Sequence, residues 1–210
     1  MKSLLAVIVF LLSTYWNANA QKDFRLGVKG GINIAQFNRE QMLNDYVTAG
    51  YHFGVFGRIP ISNHLSFQPE AQYSIKGTTF KEAIGGELTK AQLLLDYIDA
   101  IALLNLRFAH VLNLQGGLVL GILTDVQVKN KSEEIKTINP QQAIEENDFR
   151  LFDPGYTFGI EADLLKWIIG VRYTQGMRDI SDKITYDSTT YSFPELRNSV
   201  YQVYIGLRFM

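Results

Sequence analysis

The side chains best suited to chemistry recur singly, at alternate positions, along most of the chain. Arg25, Lys29, Arg58, Glu70, Lys76, Asp99, Arg107, Asp125, Glu161, Asp163, Arg172, Arg178 and Arg208 mostly sit where polar or small residues alternate with apolar ones. Gathered on one enclosed surface, eight cations and five carboxylates would form a network of ion pairs and hydrogen bonds, because burial penalises any charge left without a partner. Their cationic surplus would also suit a narrow path for small anions.

Catalysis asks for a nucleophile with a base in hydrogen-bond reach. His52 is predicted to point to the charged side, while His64 and His110 fall in or beside turns. Ser66 and Ser74 lie on the charged side, and no Ser-His-Asp arrangement follows from the spacing. The acids Asp179, Asp182 and Asp187 lack the ligand spacing of a calcium loop. The run Gly27-Val28-Lys29-Gly30-Gly31 lacks the GxxxxGK[ST] pattern of a phosphate loop. The absence of cysteine removes disulfides, thiolate metal sites and a lipid-bearing N-terminal Cys. No catalytic residue, metal site or cofactor is therefore predicted.

The elements that must position these charges occupy one predicted domain, residues 21–210, after a signal peptide at 1–20. Lys2 gives the leader its positive end, Leu4 to Leu12 its apolar stretch, and Ala18-Asn19-Ala20 its cleavage pattern. At 47% hydrophobic and 12% aromatic, the 210 residues suffice for a packed domain. Twenty Lys+Arg against 21 Asp+Glu leave a net charge of −1, which argues against a nucleic acid partner. No later stretch approaches the apolar run of a membrane-spanning helix. If the chain crosses a membrane, it does so with strands.

Period-2 alternation predicts eight strands. Phe24, Leu26, Val28, Ile32 and Ile34 oppose Arg25, Lys29 and Asn33 in the first. In the third, Leu65, Phe67, Ala71, Tyr73 and Ile75 oppose Ser66, Gln68, Glu70, Gln72, Ser74 and Lys76. The others span 50–60, 93–108, 113–127, 154–164, 167–178 and 199–209, of which 93–108 and 113–127 are apolar enough for a helix to compete. Connections at 62–64, 109–112 and 165–166 are short; those near 38–48, 78–91, 128–152 and 179–197 are long and polar. Even strand number, short turns on one rim and long loops on the other predict an all-β, eight-stranded antiparallel transmembrane up-and-down barrel.

A soluble, lipocalin-like barrel would alternate too, with its faces reversed around a ligand. Two features favour lipid outside. Gly27, Gly31, Gly54, Gly117, Gly121, Gly159, Gly170, Gly176 and Gly206 mostly share the charged face, where a narrow lumen needs room. Aromatic residues recur on the apolar face near strand ends, as interfacial girdles require. An arginine is then expected to be costly at lipid-facing Leu120 and cheaper at lumen-facing Gln115.

Three stretches carry a resemblance: Leu26-Gly27-Val28-Lys29-Gly30-Gly31-Ile32-Asn33, Phe67-Gln68-Pro69-Glu70-Ala71-Gln72-Tyr73-Ser74-Ile75-Lys76-Gly77, and the closing run from Tyr201 to Phe209. Together they resemble the PorT-type outer membrane beta-barrel family of Gram-negative bacteria. The resemblance implies outer-membrane lipids as surroundings and the barrel assembly machinery as a partner during insertion, with Tyr201, Val203, Ile205, Leu207 and Phe209 as the assembly signal. Phe209 is penultimate here, before Met210, and strand four lacks the family's Pro after Asp99. Most members have no assigned activity, so fold and location are implied more than a role. The expected function is a non-enzymatic barrel with a filled lumen, structural or partner-binding through its loops, with 128–152 as the candidate contact. The alternatives are a narrow, porin-like channel for small solutes or anions, a lipid-directed enzyme and a soluble binder.

Overall fold

Strong alternation with no cysteine, few prolines and aromatic-rich apolar faces gives strands and turns among the described residues. The computed structural model describes residues 24–38, 48–84, 87–130, 135–138, 150–178, 183–186, 189–192 and 197–209. The predicted signal peptide and the acids Asp179, Asp182 and Asp187 lie outside them. The strands are β1 (Arg25–Asn38), β2 (Thr48–Pro60), β3 (Leu65–Ile84), β4 (Glu87–Arg107), β5 (Leu112–Asn130), β6 (Ile135–Ile138), β7 (Phe152–Leu164), β8 (Trp167–Gly176), β9 (Lys183–Tyr186), β10 (Thr189–Ser192) and β11 (Arg197–Arg208).

Eight of them close into a barrel in the order β1, β2, β3, β4, β5, β7, β8, β11, every pair antiparallel. The seam between β1 and β11 runs from Gly27 opposite Arg208 to Asn38 opposite Arg197. Closure leaves no sheet edge, which is what lets strands cross hydrocarbon with their backbone groups satisfied. No helix forms among the described residues, and the apolar runs at 93–108 and 113–127 are β4 and β5.

The short connections are turns, as their lengths predict. In the first, Ser62 Oγ accepts hydrogen bonds from the backbone N–H groups of His64 and Leu65. Leu165, in the turn from β7 to β8, adopts a φ of 56° and is almost fully exposed. The long connection expected at 78–91 is corrected. β3 and β4 stay paired from Thr78 opposite Leu93 to Ile84 opposite Glu87, with Gly85-Gly86 between them, a dipeptide suited to a two-residue hairpin. Within the other expected loops, β6 pairs with β5 at Val126–Lys129, and β9 pairs with β10.

The side-chain faces follow the alternation. Val28, Ile32, Tyr51, Phe53, Val55, Leu104, Leu118, Phe158, Val171, Tyr201 and Ile205 stand on the exposed outer wall. Lys29, Asn33, His52, Glu70, Gln72, Ser74, Asp99, Gln115, Glu161, Arg172 and Gln202 are buried inside. Tyrosines gather towards the long-loop end, with ring centroids 6.4 Å apart for Tyr51 and Tyr73 and 4.8 Å for Tyr173 and Tyr201. Phe24, Phe108, Trp167 and Phe209 line the outside at the short-turn end.

One bulge breaks the pattern. The β4–β5 register shifts between Asp96 and Tyr97, so Tyr97 faces Leu123 while Asp96 faces Asp125. The extra residue turns Asp125 out of step with lumen-facing Gln115, Val119 and Leu123.

Candidate functional site

The lumen holds the charged constellation, and its crossbars span the barrel. Arg172 on β8 grips Glu70 on β3, four strands away, through Nη1 to Oε2 at 2.7 Å and Nη2 to Oε1 at 3.1 Å. Such bidentate pairing fixes both planes and is among the stronger charge-assisted contacts. Lys29 on β1 donates to the same Glu70 at 2.5 Å. Its Nζ also lies 4.6 Å from the centre of the Tyr204 ring. Gln115 Oε1 accepts from Arg172 Nη2 and from the Tyr204 hydroxyl, each at 2.9 Å.

A second crossbar lies towards the short turns. Arg58 on β2 donates from Nη1 to both Asp163 oxygens at 3.0 Å, from Nε to Gln68 Oε1 at 2.7 Å, and from Nη2 to Glu161, the two acids both standing on opposite strand β7. Asp163 further pairs with Arg107 at 3.3 Å and Arg208 at 3.2 Å. Towards the long loops, Lys76 pairs with Asp99 at 2.8 Å and sits over the Tyr97 ring. Asn33 links His52 at 2.8 Å, Ser74 at 3.0 Å and Gln202 at 3.0 Å. His52 is therefore held by an amide, and neither serine has a histidine partner.

Of the residues singled out from the sequence, Lys29, Arg58, Glu70, Lys76, Asp99, Arg107, Glu161, Asp163, Arg172 and Arg208 come together in these pairs. Three do not. Asp125 is turned aside by the bulge and accepts from the Val126 N–H and from Gln127 instead. Arg178 lies past the end of β8 and is exposed. Arg25 stands half-exposed at the short-turn mouth. Asp153 was missed: it is buried and accepts from Asn198 at 2.6 Å. Its signal was available, since alternation carried back from Glu161 and Thr157 reaches it. With Asp153 in place of Asp125, six interior cations face five interior acids among the described residues, a smaller surplus than the sequence suggests.

Apolar side chains complete the filling. Phe56, Ile168 and Tyr204 pack together, as do Ile101, Leu103 and Val119. Among the described residues no group of three His, Cys, Asp or Glu is arranged to hold a metal ion.

The sequence profile of the outer membrane protein beta-barrel domain matches residues 19–182. The chain belongs to that family. This outer-membrane barrel also resembles solved structures at low identity. Ail, the attachment invasion locus protein of Yersinia pestis, is 11% identical with a TM-score of 0.48, over 89% of this chain and 99% of Ail. Neisserial surface protein A is 13% identical with a TM-score of 0.47, over 89% and 97% of the two chains. OprG of Pseudomonas aeruginosa is 12% identical with a TM-score of 0.41, over 90% and 97%. No match was found among curated proteins.

Proposed function

We propose that this barrel is a non-enzymatic outer-membrane protein whose lumen is a structural plug and whose work is done by its long loops. The observation that carries this reading is the pair of crossbars, Arg172 to Glu70 and Arg58 to Glu161 and Asp163, each joining opposite walls. An eight-stranded barrel is just wide enough for its own side chains, and side chains tied across its diameter leave no continuous water path. With the lumen closed, contact with other molecules falls to the rims. The rim with the long loops faces outside the cell and the short turns face the periplasm, as in other barrels of this kind. Loop 128–152 is the favoured contact for a protein partner.

Within the family we place the chain with the PorT-type barrels, on the strand-one and strand-three motifs. Tyr201, Val203, Ile205, Leu207 and Phe209 alternate along β11 and end on an aromatic, which suits recognition by the barrel assembly machinery. Export through the 1–20 leader belongs to the same reading.

The test is conductance of the refolded protein in planar lipid bilayers. The plug reading expects no steady current steps. A stable anion-selective conductance lost on Arg172→Ala would refute it and favour the narrow channel.

A further inference from the structure

We propose that the short-turn mouth of the barrel binds one tetrahedral oxyanion, a phosphate group either free or in a lipid headgroup. Arg25 and Arg58 stand directly opposite each other in the β1–β2 register, a placement of like charges that destabilises a sheet unless something compensates it. Arg107 and Arg208 join them around Asp163. Three of these guanidiniums, Arg58, Arg107 and Arg208, thus share two carboxylates, Asp163 and Glu161. Arg25 forms no ion pair among the described residues, and the mouth keeps a surplus of positive charge.

The surplus opens onto a cavity. It measures about 80 Å³ and is lined by Arg25, Arg58 and Arg107 with Ser62, His64 and Ser66. That volume has room for a single tetrahedral ion. Arg107 Nε is shielded from solvent with no hydrogen-bond partner among the described residues, a buried donor that an anion would satisfy. Guanidinium forks match phosphate oxygens two at a time. Outside the same rim, Phe24, Phe108 and Phe209 are exposed on the outer wall, which sets the cavity near headgroup level. Lipid phosphate and free phosphate can both reach that level.

The experiment has two arms. In a maltoside detergent, which carries no phosphate, inorganic phosphate is titrated calorimetrically onto the full refolded protein against chloride at matched ionic strength. In nanodiscs containing phosphatidylglycerol and no added phosphate, native mass spectrometry counts retained lipid. Both arms include Arg25→Gln and Arg107→Gln, each checked for folding by its heat-dependent shift in SDS electrophoresis. Arg25→Gln is the sharper variant because it breaks no ion pair among the described residues. Saturable one-to-one binding in either arm, about tenfold or more weaker in Arg25→Gln, supports the site. The first arm alone identifies free phosphate, and the second alone a headgroup. No saturable binding in either arm, or binding untouched by both substitutions, overturns it.

Discussion

The outer wall of β5 allows the bilayer to be located and then tested. Its apolar residues run from Leu112 to Ile122 and stop at Thr124, beside the register shift. At about 3.3 Å per residue and a tilt of about 40°, that run rises about 25 Å, the height of the apolar band on such barrels. Its midpoint falls beside Leu118, which is 62% exposed. Thr124 stands about 15 Å higher, beyond the half-height of about 12 Å. Leu118→Arg should therefore cost about 2 to 4 kcal/mol, and Thr124→Arg about 0 to 1 kcal/mol. The assay is equilibrium unfolding by urea from phospholipid vesicles, followed by tryptophan fluorescence. Of the two tryptophans, Trp16 belongs to the predicted leader, so exposed Trp167 reports alone in the mature chain. Equal penalties at the two positions, or no penalty at Leu118, would refute both the face assignment and the placed midplane.

Three further outcomes follow from the lumen and the seam. Glu70→Gln should destabilise by about 3 to 5 kcal/mol in the same urea assay, because Lys29 and Arg172 lose their shared carboxylate; adding Lys29→Met should recover part of that loss. Gly31→Ala should cost about 1 to 3 kcal/mol, since its new Cβ would lie 2.0 Å from the Val203 carbonyl oxygen across the β1–β11 seam; folding yield into vesicles is the readout. The structure also changes the expectation for Gln115→Arg. Gln115 accepts from Arg172 and Tyr204, so an arginine there would remove the acceptor and confront a cation. The loss should approach that of Leu118→Arg at low salt.

Legibility in the sequence tracked lipid. Where one face meets hydrocarbon and the other a polar lumen, alternation is clear in six of the barrel strands; in β4 and β5 it is blurred, because Ile101, Leu103 and Val119 also fill the lumen and leave a helix in competition. Thr78 to Ile84 and Glu87 to Leu93 lie on the long-loop side, past the end of the outer apolar run, where no such alternation is imposed. The sequence there therefore reads as a loop, although Gly85-Gly86 holds a turn signal. The bulge beside Tyr97 leaves no mark in residue types, and one inserted residue sufficed to remove Asp125 from the lumen. Charged lumen residues were readable singly, but their partners were not. Arg172 and Glu70 lie 102 residues apart, and only closure of the barrel makes β3 and β8 opposite walls.

The glycines on the inner face have a more specific use than relief from long cations. A Cβ on Gly27 would meet the Phe56 ring at 2.5 Å, and one on Gly170 would meet the Tyr204 ring at 2.4 Å. These two rings and Ile168 form an apolar wedge, and Tyr204 extends from it to Gln115 and Glu161. The ion pairs are thereby held in a drier environment, where their attraction is less screened and an unpaired charge is more costly. Neither half of the filling suffices alone. An apolar wedge without polar partners would strand the Tyr204 hydroxyl, while a charge network without the wedge would admit water between Arg172 and Glu70. The glycines that give the rings room thus help fill the lumen with packed rings and paired charges.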